Sequence, residues 1–124
     1  FRFTCESIAR GLDAAKPDAD GFHGPRITLA APDMPPMGLT MERLAAGSST
    51  RRYRATANHI FHVAEGAGET TIGDRRFSWQ RGDTLVAPSW TAIAHRATSD
   101  AQLFTLSDEP LLRFSNYYRF EAMD

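Results

Sequence analysis

The sequence predicts an all-β domain, an antiparallel sandwich or barrel flanked by a short helix at each end. Three observations predict it: short runs rich in Val, Ile, Thr, Phe and Trp with a period of two, glycine-bearing turns between them, and even spacing with no helical segment intervening. A chain of 124 residues makes one domain, a size at which roughly two-thirds of the unfolded surface is buried.

The elements follow in order. Residues 1–37 read as a helix and an extended arm: "TCESIARGLDAAK" puts Ile8, Leu12 and Ala15 on one stripe behind a Thr4 cap, and "PDADGFHGP" breaks the helix. From "GLTMERLAAG" onward the period is two. Strands are expected near 38–46, 57–64, 68–73, 75–80, 83–87, 91–97 and 101–107, and "IGDRR" closes a tight hairpin through Gly73 and Asp74. The barrel so defined spans 38–108. "EPLLRFSNYYRF" then reads as a closing helix over 109–124, with Pro110 near its first turn.

Composition excludes several classes. The formal charge of -1 sets up no field that would draw the protein to nucleic acid or to an anionic membrane. No apolar run has the roughly 18 to 20 residues of a membrane span, and "FRFTCESIAR" lacks the apolar core of a signal peptide. "RRYR" suggests phosphates and stacked bases, but in a strand Arg52 and Arg54 alternate with an inward Tyr53 and form a solvated face, so no nucleic-acid partner is expected. A single cysteine, Cys5, with no base nearby in sequence, fits a reducing cytoplasm.

The glycine spacing is more specific. Gly47 is followed by Tyr53, Ala55, His59 and Gly66, and Gly82 by Pro88, Trp90 and Ile93. In internal spacing and in separation these two stretches resemble the two motifs of the cupins, whose first motif holds His, His and Glu at the positions of 53, 55 and 59. In the second motif Trp90 stands in the usual glycine slot and Ile93 in the usual histidine slot. The resemblance implies a double-stranded β-helix, the jelly-roll barrel. The wording of "IFHVAEGAGETTIGDRRFSWQRGDTLVAPSW" and "LFTLSDEPLLRFSNYYRFE" is similar to the C-terminal half of gentisate 1,2-dioxygenases and their salicylate and hydroxynaphthoate relatives. That family pairs two cupins in tandem, and one of them holds Fe(II) on three histidines to open a hydroxylated aromatic ring. The resemblance implies that this chain, which begins at Phe1 without methionine, is one half of a longer bicupin. The partners implied are the N-terminal cupin of the same polypeptide, a second copy in a homo-oligomer such as a dimer, and a small aromatic acid.

The chemistry of the slots departs from that pattern. Residues 53, 55 and 59 share parity on what reads as one strand, so all three project inward, and 93 joins them from a facing strand. They are Tyr53, Ala55, His59 and Ile93. A methyl and an isoleucine cannot ligate and neutral tyrosine is a poor ligand, so no catalytic or metal-binding residue is expected in this domain. His59 and His95 have inward parity and make an incomplete metal site between them, alternatively a pair of hydrogen-bonded interior histidines. His62 is expected to face outward and His23 to be solvated in its loop. Trp90 and Trp79 are either an aromatic wall for a planar ligand or plain core.

Three functions follow. The first is a metal-free structural and subunit-contact domain of a ring-cleaving dioxygenase, whose enzymatic activity belongs to the parent polypeptide. The second is a small-molecule-binding barrel with Tyr53, His59, Trp90 and His95 as its pocket. The third is a non-standard metal enzyme built on His59 and His95.

Overall fold

Helix α1 (Cys5–Ala14) starts where extended Thr4 accepts a hydrogen bond from the Ser7 N–H at 3.1 Å, and it buries Leu12 on its inner face. The computed structural model describes residues 2–29 and 36–123. Beyond α1 the chain runs through β1 (Arg26–Thr28), β2 (Gly38–Leu44), β3 (Tyr53–Ala55), β4 (His59–Glu65), β5 (Ala67–Ile72), β6 (Arg75–Gln80), β7 (Thr84–Ala87), β8 (Ile93–Ala97) and β9 (Ala101–Ser107). It ends in α2 (Glu109–Phe114) and β10 (Phe120–Ala122). No helix among the described residues is long and apolar enough to cross a membrane.

Pairing is antiparallel throughout and nested: β2 with β9, β3 with β8, β4 with β7, β5 with β6. That nesting is a long ribbon folded over on itself, the jelly roll. It produces two five-stranded sheets, β1-β2-β9-β4-β7 and β10-β3-β8-β5-β6. Strict alternation along β4 sends His59, Phe61 and Val63 inward and Ile60 and His62 outward. Two core clusters fill the space between the sheets. One gathers Phe22, Tyr53, Ala55, Phe61, Ile72, Ala87 and Ile93, and the other Leu44, Val63, Trp79, Ala97, Ala101 and Leu103.

The seven expected strands are present as β2 and β4 to β9, with ends displaced by at most two residues. Three short strands, β1, β3 and β10, were not expected. The closing helix expected over 109–124 is also corrected. Helix α2 ends at Phe114. Asn116 adopts a left-handed conformation (φ 62°) with the Tyr117 N–H on the Leu112 carbonyl at 2.8 Å, a helix-stopping arrangement that asparagine tolerates. The remaining residues return as β10 along the edge of β3, pairing Phe120 with Ala55 and Ala122 with Tyr53.

One motif glycine is required by close approach as well as by conformation. Gly66 has φ 87°, and a Cβ there would collide with the Asp100 carbonyl oxygen and Ala101. We expect Gly66→Ala to lower unfolding free energy by roughly 2 kcal/mol or more in urea denaturation. A variant as stable as the parent would show that this turn is built differently.

Candidate functional site

The four motif positions converge, though not as one strand. Tyr53 and Ala55 point inward from β3, whereas His59 does so from β4 in the opposite sheet, because the chain breaks at 56–58 to cross between sheets. Ile93 comes from β8, which neighbours β3 in its own sheet, and is the cross-strand partner of Tyr53. All four are buried. Burial, and after it the charge of Glu42, holds the Tyr53 phenol well above its usual pKa, so it is neutral. A neutral phenol, a methyl, one imidazole and a branched alkyl group are not a donor set for Fe(II). Among the described residues no three His, Cys, Asp or Glu side chains approach closely enough to hold a metal ion.

His95 is engaged elsewhere. The Trp79 indole N–H donates to Thr70 Oγ1 at 2.8 Å, and the Thr70 hydroxyl lies 2.8 Å from His95 Nδ1. The Thr70 oxygen accepts from Trp79, so its own proton points at Nδ1, which makes His95 the neutral tautomer protonated on Nε2. Burial pushes its pKa down to about 4. His59 also has its pKa lowered by burial. Both rings pack on Phe61, His59 stacked at 5.6 Å and His95 edge-on at 4.7 Å.

Trp79 is core, whereas Trp90 is 39% exposed. It sits on the outside with φ 61° in the glycine slot, its N–H bonded to the Ala55 carbonyl at 2.7 Å and the Arg54 guanidinium 4.3 Å over its ring. His62 faces outward as expected, with Nδ1 2.9 Å from Thr84 Oγ1.

The loop histidine is the main correction. His23 is largely buried, with Nδ1 3.5 Å from Glu42 Oε1 and its ring 5.4 Å edge-on from Tyr53. Glu42 is 5% exposed, and its other oxygen accepts the Gly24 N–H at 3.2 Å. His23 was expected in solvent, and Glu42 was overlooked. The signal for Glu42 was its parity: it shares the inward face of β2 with Leu44. These two residues, with Arg26, Tyr53, His59 and Phe120, line a cavity of about 260 Å³ at one end of the barrel. His95, Trp90, Ala55 and Ile93 do not line it. Tyr118 and Glu109 also border it. Burial and a hydrogen bond to Glu109 push the Tyr118 phenol up to about 12.

A nested jelly roll with inward motif positions on β3, β4 and β8 defines the class of protein, and the Cupin domain family matches residues 40–107: the chain belongs to the cupins. More particularly, it is 34% identical to gentisate 1,2 dioxygenase 1 of Aquipseudomonas alcaligenes, over 96% of this chain and 36% of that protein. It is 33% identical to 5-aminosalicylate 1,2-dioxygenase of a Comamonas species, over 98% of this chain and 35% of that one. The chain thus spans about a third of the length of these relatives. The salicylate 1,2-dioxygenase of Pseudoaminobacter salicylatoxidans, crystallised as adducts with gentisate, shares the fold, with a TM-score of 0.87 at 24% identity over 97% of this chain and 36% of that one.

The buried His95 makes stability depend on pH. Its folded pKa lies below the unfolded value of about 6.5, so its contribution is complete above pH 6.5 and is lost as pH falls toward about 4, on the order of 3 kcal/mol in all. Urea unfolding across this window should show a pH slope shallower by up to about 1.4 kcal/mol per unit in His95→Gln than in the parent chain. Equal slopes would mean that the imidazole is not held neutral.

Proposed function

We propose that the chain is the metal-free C-terminal cupin of a ring-cleaving dioxygenase of the gentisate type, a structural and subunit-contact domain. In this reading the Fe(II) centre, the O2 chemistry and the aromatic substrate belong to an N-terminal cupin of the same polypeptide. The likeness to gentisate and aminosalicylate dioxygenases over about a third of their length supports it, as does a donor set at 53, 55, 59 and 93 that does not fit iron.

The observation that carries the contact role is the outer face of the β1-β2-β9-β4-β7 sheet. Cross-strand register lines up Leu39, Leu106, Ile60 and Val86 in one row, flanked by Met41 and Phe104. Helix α1 packs on the β1 and β2 side. Ile60 is left 40% exposed and Val86 59%. A contiguous apolar sheet face of this kind is the sort that associates. The third function, a metal held by His59 and His95, is disfavoured because Thr70 engages His95 Nδ1 and both rings pack on Phe61.

Two experiments test this reading. Charging the outer row with Ile60→Lys and Val86→Glu should weaken self-association, or association with the N-terminal cupin, by at least about tenfold in analytical ultracentrifugation. The melting temperature of the unassembled chain should barely change, and unaltered assembly would remove the contact role.

The second concerns the emptied slots. Tyr53→His, Ala55→His and Ile93→His together should create a metal site that the parent lacks. At about a hundredfold over the dissociation constant, divalent metal would then add about 2.7 kcal/mol of stability. A folded triple variant with no metal-dependent shift in melting would mean that these positions are not ligand slots.

A further inference from the structure

The cavity is open to water on the side of exposed Arg26, but its inner wall is sealed: Glu42, Tyr53 and His59 are 5%, 4% and 8% exposed. Two arms from distant parts of the chain meet over that wall. One is a strap, residues 20–24, and the other is β10. The strap is fastened on both faces. Outside, the Arg51 N–H donates to the Gly21 carbonyl at 2.8 Å, and the Arg51 guanidinium donates to the Asp20 carbonyl at 3.0 Å and lies 4.6 Å over the Phe22 ring. Inside, the Gly24 N–H donates to Glu42 Oε2 at 3.2 Å. Arm β10 is exposed along its three residues and runs beside β3, which is equally short and joins β8 through Tyr53 and Ile93.

The arms meet at one ring. Phe22 of the strap is 8% exposed, edge-on to Tyr53 at 5.9 Å and 82° and to Phe120 of β10 at 5.1 Å and 84°. Phe120 in turn stacks on Tyr53 at 5.2 Å and 20°. Each ring touches the other two, so lifting either arm strips an aromatic contact from the other. Segments with few buried apolar side chains and short backbone ladders open at a lower free energy than the strands of a core. Both arms are of that kind. We propose that residues 20–24 and β10 form a two-armed clasp, pinned by Phe22, which opens as one unit while the barrel stays folded and so uncovers the wall of Glu42, Tyr53 and His59. Pro25, whose carbonyl accepts the Arg43 N–H at 2.8 Å, fixes the far end of the strap and confines the movement. The clasp governs access to the inner cavity and is independent of the contact role proposed above.

Native-state hydrogen exchange of the chain in sub-denaturing urea tests the clasp. The Arg51 N–H, on the Gly21 carbonyl, reports the strap, and the Met123 N–H, on the Arg52 carbonyl at 2.9 Å, reports β10. Val63 and Leu103 report the core. The two arm amides should share one protection factor at every urea concentration, at least about tenfold below that of the core amides. Phe120→Ala, at a position 45% exposed, should speed exchange at Arg51 by the same factor as at Met123. Phe120→Leu, which keeps apolar volume without the ring contacts, gives the same readout should the alanine variant not fold. A thiol reads the wall itself: His59→Cys, in a Cys5→Ser background, should react with an aromatic disulfide reagent at a rate set by the same opening. The proposal is overturned if the arm amides differ in urea dependence, if they exchange with the core amides, if Phe120→Ala speeds Met123 more than Arg51, or if the introduced thiol reacts as fast as a free one. Such a failure would leave the outer-face assembly result untouched, so the two readings fall separately.

Discussion

Tyr53 packs opposite Ile93 in the first core cluster, and much of the interior is arranged around that apolar contact. A jelly roll encloses a volume that cannot be left void, since empty space forfeits dispersion contacts and costs stability. This chain fills the centre with a phenol ring, a branched alkyl group and a methyl, with the Phe61 ring packed against them. The same burial keeps Tyr53 protonated and His59 neutral, so the filling material carries no charge that would call for a counter-ion.

The two core clusters differ in how they are secured. Around Trp79, Ala97, Val63 and Leu103 the packing is tight, and the one polar feature threading in is the Trp79–Thr70–His95 hydrogen-bond chain. A hydroxyl shared between an indole and an imidazole in this way holds both side chains in one arrangement. Around Tyr53 the polar groups are only partly matched: Glu42 shares its oxygens between one N–H and one imidazole, and His59 Nδ1 has no partner among the described residues. The partly matched end is also where the cavity lies. Short edge elements border it, β1 on one sheet and β10 on the other, and Phe120 of β10 stacks directly on Tyr53.

Much of the frame was readable from the residues alone, because strands such as β4 and β8 alternate cleanly and the turns between them carry glycine or asparagine signals. Inward parity at 53, 55, 59, 93 and 95 was readable for the same reason. What escaped was whatever does not alternate. Strands β1, β3 and β10 have three residues each, too short for a period to emerge, and they exist through pairing with neighbours distant in sequence. His23 escaped with them. In "GFHGP" nothing local marks it as buried; only the return of the loop across β2 brings it to Glu42 and Tyr53. Trp90 lies between two strands in a left-handed turn, so no strand period reaches it to show which way its ring faces.

That tryptophan also separates the frame from the chemistry it is associated with. A bulky residue at φ 61° is strained by about 1 to 3 kcal/mol and persists only where its surroundings hold it. Here the Trp90 N–H is tied to the Ala55 carbonyl and Arg54 covers the ring, while Arg54 itself pairs with Glu121 of β10 at 2.9 Å. The turn thus keeps its geometry without glycine. Chain reversals are held by backbone approach and cross-strand pairing, and the interior by apolar contact. Polar groups gather instead at one end of the barrel, where Arg26 and Glu42 face one cavity.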